Sequence, residues 1–434
     1  TLVVVTPISG GPSEDAGILP GDKIITVNGE LLSGRDLTNE KVMKSLKGDR
    51  GTKVDLAIKR RGQKELLNFS VTRARIPIHS VVASFMVSED VGYVKVTRFA
   101  KNTYEEFKHA VEGLREEGAK NLVLDLRANG GGYLEPAIDM AAEFLGKDQL
   151  VVYTEGRRST KNMEHTSRDG KYRDMQLVVL INQGSASASE VVAGALQDWD
   201  RSITVGRRSF GKGLVQNQIP LEDHSAIRLT IARYFTPTGR CIQKPYGEEI
   251  DYDSDYLSRY DRGELLSADS IVVADSLRCV TPGGRIVYGG GGIIPDIFVP
   301  MDTTGTSDYL AELSYQGLIR EFGFDYTDKH RNELSKFSTV QEFERSWSVS
   351  GALLDELGAY ADSKGVKRDN LGLTASRDVI ANRLKAHIAK NVFDEQAYYY
   401  VTLQNDADFI KGMEVVGSYD EFFLASLKSQ SVIK

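Results

Sequence analysis

Three short windows of this chain hold the residue types that acyl-transfer chemistry uses. The first is Gly184-Ser-Ala-Ser-Ala-Ser-Glu190, a run of small residues between the apolar stretch Gln176 to Ile181 and a segment of helical character. A serine where a strand ends and a helix begins lies beside unpaired backbone N–H groups and the positive end of the helix dipole, which stabilise the negative charge of a tetrahedral intermediate. Ser187 has that place, although serines 185, 187 and 189 would equally serve as plain helix caps. The second window, Ser209-Phe-Gly-Lys-Gly-Leu-Val-Gln216, sets Lys212 between two glycines. A lysine is most often a solvated surface charge, but one enclosed beside a serine loses part of its hydration, and its neutral amine can then take the hydroxyl proton. The third, Arg127-Ala-Asn-Gly-Gly-Gly132, allows close backbone approach. Its N–H groups at Gly131 or Gly132, with that of Ala188, are candidates for the two donors of an oxyanion hole, and a simple turn is the competing reading. A histidine base is disfavoured: His224, the nearest, falls in Leu221-Glu-Asp-His-Ser-Ala226, which reads as a hairpin turn between Leu214 to Pro220 and Ile227 to Phe235.

These windows need elements to hold them. Val91 to Phe99, Asn121 to Leu126 and Gln176 to Ile181 read as strands, and Thr103 to Glu117 (capped by Thr103), Leu134 to Phe144 and Val191 to Asp198 as helices. Residues 76–300 thus contain two strand, glycine-loop, helix units, the mark of a layered α/β domain. Ahead of them, residues 1–75 alternate strand-like runs with turns at Pro20-Gly21-Asp22 and Asn28-Gly29, followed by helical spacing at Val42, Met43 and Leu46. Residues 301–434 turn helical and charged, with amphipathic stretches at 308–322, 339–361 and 376–392. The expected fold class is multidomain α/β, with a β-rich module, an α/β core and a helical C-terminal domain.

Composition narrows the function. The chain has 434 residues, 41% hydrophobic and 26% charged, near the average for folded water-soluble proteins. A net charge of −7 provides no basic field for a phosphate backbone, so nucleic acid is not an expected partner. Two cysteines, Cys241 and Cys279, and six scattered histidines form no metal-ligand spacing and no disulfide framework, and no cofactor or metal is expected. No apolar run reaches the roughly 18 residues that span a bilayer. The opening Thr1-Leu2-Val3 reads as a processed or excised start, compatible with a signal or membrane anchor upstream.

Taken together, the motifs resemble a known family. Ala16-Gly-Ile-Leu-Pro-Gly-Asp-Lys-Ile-Ile-Thr-Val-Asn-Gly29 is similar to the most recognisable stretch of PDZ domains, whose carboxylate-binding glycine loop would lie upstream of Thr1, so the module is expected to be incomplete. LDLRANGGG in 124–132, GSASASE in 184–190, FGKG in 210–213 with Gln216 following, and YFTPTGRCIQKP in 234–245 resemble the carboxyl-terminal processing peptidases, or tail-specific proteases. The resemblance covers most of residues 1–300. It implies a crotonase-like protease core that cuts protein or peptide substrates near accessible C-termini. Ser187 would be the nucleophile, Lys212 the general base, Gln216 the polar partner orienting the lysine, and Arg127 and Asp198 supporting residues. It also implies a periplasmic or otherwise extracytoplasmic setting and is compatible with a homo-oligomer. Two rival readings stay open on the same fold: a non-catalytic carrier or PDZ-containing scaffold, as in the interphotoreceptor retinoid-binding protein that resembles these proteases, and a crotonase-like acyl-CoA enzyme.

Overall fold

The computed structural model describes residues 2–8, 10–32, 34, 37–245 and 254–428. The chain forms two compact units, one of residues 1–78 with 303–404 and the other of 79–302 with 405–434. The helices that follow residue 404 therefore group with the α/β core, whereas the sequence reading gathers all of 301–434 into one domain.

In the first unit, Lys53–Lys59 shows how alternation makes a half-buried strand: Val54, Leu56 and Ile58 face inward while Lys53, Asp55 and Lys59 face water. It pairs antiparallel with Lys23–Val27 and Leu67–Thr72, and Leu2–Val3 and Glu30–Leu31 complete the sheet. The turn after Lys23–Val27 has positive φ at both Asn28 (50°) and Gly29 (83°), as a primed turn requires. Thr38 caps the helix Asn39–Leu46, its Oγ1 accepting the Lys41 N–H at 3.2 Å. The later helices of this unit bury Leu313, Phe343, Leu357, Ile380, Leu384 and Ile388 in a common core. The apolar stretch expected over 308–322 divides into Asp308–Tyr315 and Leu318–Leu334 because Gly317 adopts φ 69° and ends the first helix.

The second unit is built on a six-stranded sheet in the order Ile297–Phe298, Ile203–Gly206, Gln176–Ile181, Asn121–Asp125, Val91–Val96, Val81–Met86. All pairs are parallel except the last, which is antiparallel. Gln176–Ile181, the central apolar run, has five of its six residues buried, which fits a strand covered on both faces. Thr103–Glu116, Leu134–Ala142 and Ala188–Asp198 are its helices, and their Phe107, Met140, Val192 and Leu196 enter the main core. Thr103 does not cap its helix. Asn102 occupies the cap position, and the buried Thr103 hydroxyl instead donates to Ser80 Oγ (2.6 Å) and accepts the Ala100 N–H (2.7 Å). A second, antiparallel sheet runs Asn162–His165, Leu150–Glu155, Ala226–Phe235, Leu214–Pro220. Its outer hairpin turns through His224 at φ 66°, in agreement with the turn read from sequence.

In the parallel sheet Leu180 is level with Asp125. The loops leaving the carboxyl ends of these two strands, 126–133 and 182–187, are consequently neighbours. Crevices at such strand ends are where open α/β sheets place their sites.

Candidate active site

Ser187 caps the helix Ala188–Asp198 with φ 57° and ψ −114°, a conformation that costs a non-glycine residue about 1–3 kcal/mol. The surrounding loop over-determines it. Its N–H donates to Glu190 Oε2 at 2.7 Å, and the Ala186 N–H donates to Asn129 O at 2.9 Å. Ser185 Oγ donates to Leu126 O at 2.8 Å, and Ser189 Oγ to Asn129 O at 2.9 Å. Every residue of the helix is buried, so water does little to screen the dipole that points at Ser187.

The glycine loop lies directly against this serine. Gly131 has φ 92°, and a Cβ there would stand 2.7 Å from Ser187 Cβ and 2.9 Å from the Ala188 nitrogen. No side chain fits, so glycine is required by contact as well as by conformation. Asn129, fully buried, stitches the loop together: its Nδ2 donates to Val96 O at 3.0 Å and its Oδ1 accepts the Gly131 N–H at 2.9 Å. The Gly131 N–H is thus already engaged, and Gly132 and Ala188 remain as the candidate oxyanion donors.

Arg127 begins the loop with its guanidinium on Asp125, Nε–Oδ1 3.1 Å and Nη2–Oδ2 2.7 Å. Burial alone would raise the Asp125 carboxyl, but Arg127 and Lys95 outweigh it and hold it well below the usual carboxylate range. Asp198, at the far end of the serine helix, accepts from the Thr238 N–H (2.9 Å) and hydroxyl (2.7 Å) and pairs with the fully buried Arg240. It anchors the Thr236–Arg240 turn rather than the serine.

Lys212 is brought near by Glu190. This buried carboxylate accepts the Lys212 N–H on Oε2 at 2.9 Å, the same oxygen that holds Ser187, while Oε1 accepts the Ser209 hydroxyl at 2.5 Å and the Gly211 N–H at 2.7 Å. The amide nitrogens of Ser187 and Lys212 are therefore no more than about 5.6 Å apart, two hydrogen-bond lengths end to end. Burial pushes the Glu190 carboxyl up, and its four donors pull the other way. Two further ties fix the loop: Arg208 pairs with Glu264 at 2.6 Å, and Arg259 Nη1 donates to Ser209 O at 3.0 Å. The Lys212 side chain is exposed. Gln216, also exposed, lies opposite Thr230 in the hairpin, and no hydrogen bond joins it to Lys212.

Sequence reading assigned no role to Glu190 or Asn129. Glu190 had a visible signal, since serine followed three residues later by glutamate is the capping-box pattern, but that pattern says nothing of the lysine loop. Among the described residues no group of three or more His, Cys, Asp or Glu could hold a metal ion.

Segments of the chain match known families. Residues 90–255 match the family described as Peptidase family S41, and residues 3–60 match a PDZ domain. A further segment, 309–394, matches a family of unknown function. The chain is 39% identical over 246 residues to a carboxyl-terminal-processing protease of Synechocystis, covering 56% of this chain and 57% of that protein. It is 38% identical over 245 residues to the carboxy-terminal processing protease CtpB of Bacillus subtilis, covering 56% and 50%. The chain thus spans about half the length of the curated relatives it matches. Among solved structures, a photosystem II D1 C-terminal processing protease is 34% identical, covering 56% of this chain and 65% of that one, with a TM-score of 0.35. The 90–255 match lies within the residues of the second unit and the 3–60 match within those of the first.

Proposed function

We propose that this chain is a serine endopeptidase that cleaves protein substrates near their C-termini, with Ser187 as nucleophile and Lys212 as general base. The observation that supports it is the shared carboxylate of Glu190, which holds the strained serine and the lysine backbone on one oxygen. Ser187 Oγ attacks the scissile carbonyl as its proton passes to Lys212 Nζ. The oxyanion that forms is met by the N–H groups of Ala188 and Gly132 at the helix N-terminus. Collapse of this intermediate breaks the C–N bond, Lys212 returns the proton to the leaving amine, and water resolves the acyl-serine by the same route. Gln216 orients the lysine amine in the substrate-bound state, accepting an N–H with its amide oxygen and adding no charge. C-terminal specificity follows the names of the relatives, and an extracytoplasmic setting follows the family resemblance. The exposure of Lys212 and Gln216 favours a second reading, a non-catalytic scaffold on the same fold.

The test is cleavage of casein by the wild type and by folded Ser187→Ala and Lys212→Ala variants between pH 6 and 10. Loss of cleavage in both variants, with a wild-type rate that rises with pH, is expected. An inert wild type supports the scaffold, and full activity in Lys212→Ala removes the lysine from the mechanism.

A further inference from the structure

The helix Ala407–Gly417 lies against the strand that delivers Ser187. A Cβ on Gly412 would be 3.1 Å from Leu180 Cδ2, and Phe409 meets Tyr93 edge-on at 5.7 Å. Its first turn brings two carboxylates to the arginines of the functional loops. Asp406 caps the helix, accepting the Phe409 N–H at 2.9 Å, and takes Arg127 Nη1 on both oxygens at 2.7 and 2.8 Å. Asp408, 5% exposed, does more. Arg207 grips it in bidentate fashion, Nη1–Oδ1 and Nη2–Oδ2 each 2.8 Å, and Arg127 Nη1 reaches Oδ2 at 3.1 Å.

One carboxylate therefore joins the arginine that opens the glycine loop to the arginine that opens the lysine loop. Arg207 extends the link, its Nη1 donating to Val299 O at 2.9 Å and its Nε to Gln183 Oε1, ahead of Ser187, at 3.3 Å. The charges close: Lys95, Arg127 and Arg207 face Asp125, Asp406 and Asp408. Planar guanidinium forks paired with carboxylates fix orientation as well as distance. Among the described residues Asp408 is the carboxylate paired with Arg207, so its loss leaves a costly unpaired buried arginine in the lysine loop, while Arg127 keeps Asp125 and Asp406 and loses its tie to Arg207.

We propose that Asp408 is a positioning residue which clamps Arg127 and Arg207 and so holds the glycine loop and the lysine loop in register about Ser187. Its kinetic consequence rests on the Ser187–Lys212 reading; the clamp itself does not. Asp406 touches Arg127 but not Arg207, which makes it the natural control.

The experiment is amide hydrogen exchange on the full chain, wild type, Asp408→Asn and Asp406→Asn, with casein cleavage in parallel. In Asp408→Asn, exchange should speed at least tenfold in both 127–132 and 207–213, and kcat should fall more than tenfold with KM within twofold. Asp406→Asn should loosen 127–132 alone. Unchanged exchange in either loop of Asp408→Asn overturns the clamp, and so does loosening of both loops with kcat unaltered in an active enzyme. A wild type that does not cleave sinks the proteolytic reading, and exchange alone then decides: loosening of both loops supports the clamp, protection in either refutes it. Should Asp408→Asn fail to fold, Asp408→Glu keeps the charge but moves the carboxylate by about one bond length. It should show the same pattern at roughly threefold, and wild-type exchange and kcat in that variant overturn the proposal.

Discussion

Replacing Glu190 with glutamine tests the junction of the site with almost no change of volume. The carboxylate accepts four hydrogen bonds, two on each oxygen. An amide keeps one acceptor oxygen and presents an NH2 group to two donors. The less damaging orientation keeps oxygen toward Ser187 and Lys212 and turns NH2 toward Ser209 and Gly211. Ser209 Oγ already accepts the Ile293 N–H at 2.6 Å and can take the amide N–H on its second lone pair only by turning its own O–H away, and the Gly211 N–H is left without an acceptor. A buried orphan donor costs about 1–3 kcal/mol, and two charge-assisted bonds that become neutral lose about 1 kcal/mol each. Removal of a buried charge offsets part of this. The expected net loss is about 3 kcal/mol of stability in Glu190→Gln, read as a lower midpoint of urea unfolding followed by circular dichroism. Casein cleavage should fall at least tenfold, without urea and at a temperature where the variant remains folded, because the Lys212 and Ser187 backbones are no longer tied to one carboxylate. A variant that unfolds at the wild-type urea concentration and cleaves at the wild-type rate would show that Glu190 neither stabilises nor positions the two loops.

Two other perturbations follow from the structure. Gly131→Ala forces a side chain into φ 92° and against Ser187; the conformation alone costs about 1–2 kcal/mol, and labelling of Ser187 by a fluorophosphonate should slow at least tenfold, an unchanged rate showing that the two residues do not touch. His387 is held at about 4, first by burial and then by the cations Lys390, Arg320 and Arg383. The unfolded chain takes up this proton near 6.5 and the folded chain only near 4, so stability is full above pH 6.5 and is lost as pH falls toward 4, by up to about 3 kcal/mol. Thermal unfolding of His387→Phe should be less sensitive to pH in that window than the wild type; parallel curves would refute the assignment.

Much of the scaffold is written in local pattern. Gln176 to Ile181 could only be a covered strand, Asn28-Gly29 announces its turn, and the hairpin around His224 has polar turn residues between two β-branched runs. Ser187 and Lys212 are named through the ordered motifs that resemble a known family; by local pattern alone the first reads as a helix cap and the second as a solvated charge. What sequence could not show is contact between distant segments. Nothing in Arg127 or Arg207 points to Asp408, and nothing in Glu190 beyond its capping spacing points to Gly211 and Lys212. Thr103 was misplaced by one residue for the same reason: its hydroxyl is drawn inward by Ser80, a partner from another strand end.

The division of the chain also has a meaning in time. The core is left at residue 302 and re-entered at 405, so a ribosome that has already made Ser187 and Lys212 has yet to make the carboxylate joining their loops. At about 5–20 residues per second, the roughly 200 residues from Lys212 to Asp408 take about 10–40 s to synthesise. Throughout that interval Arg127 and Arg207 wait without the helix that pairs them, and the two loops lack their common anchor while the nascent chain is still close at hand.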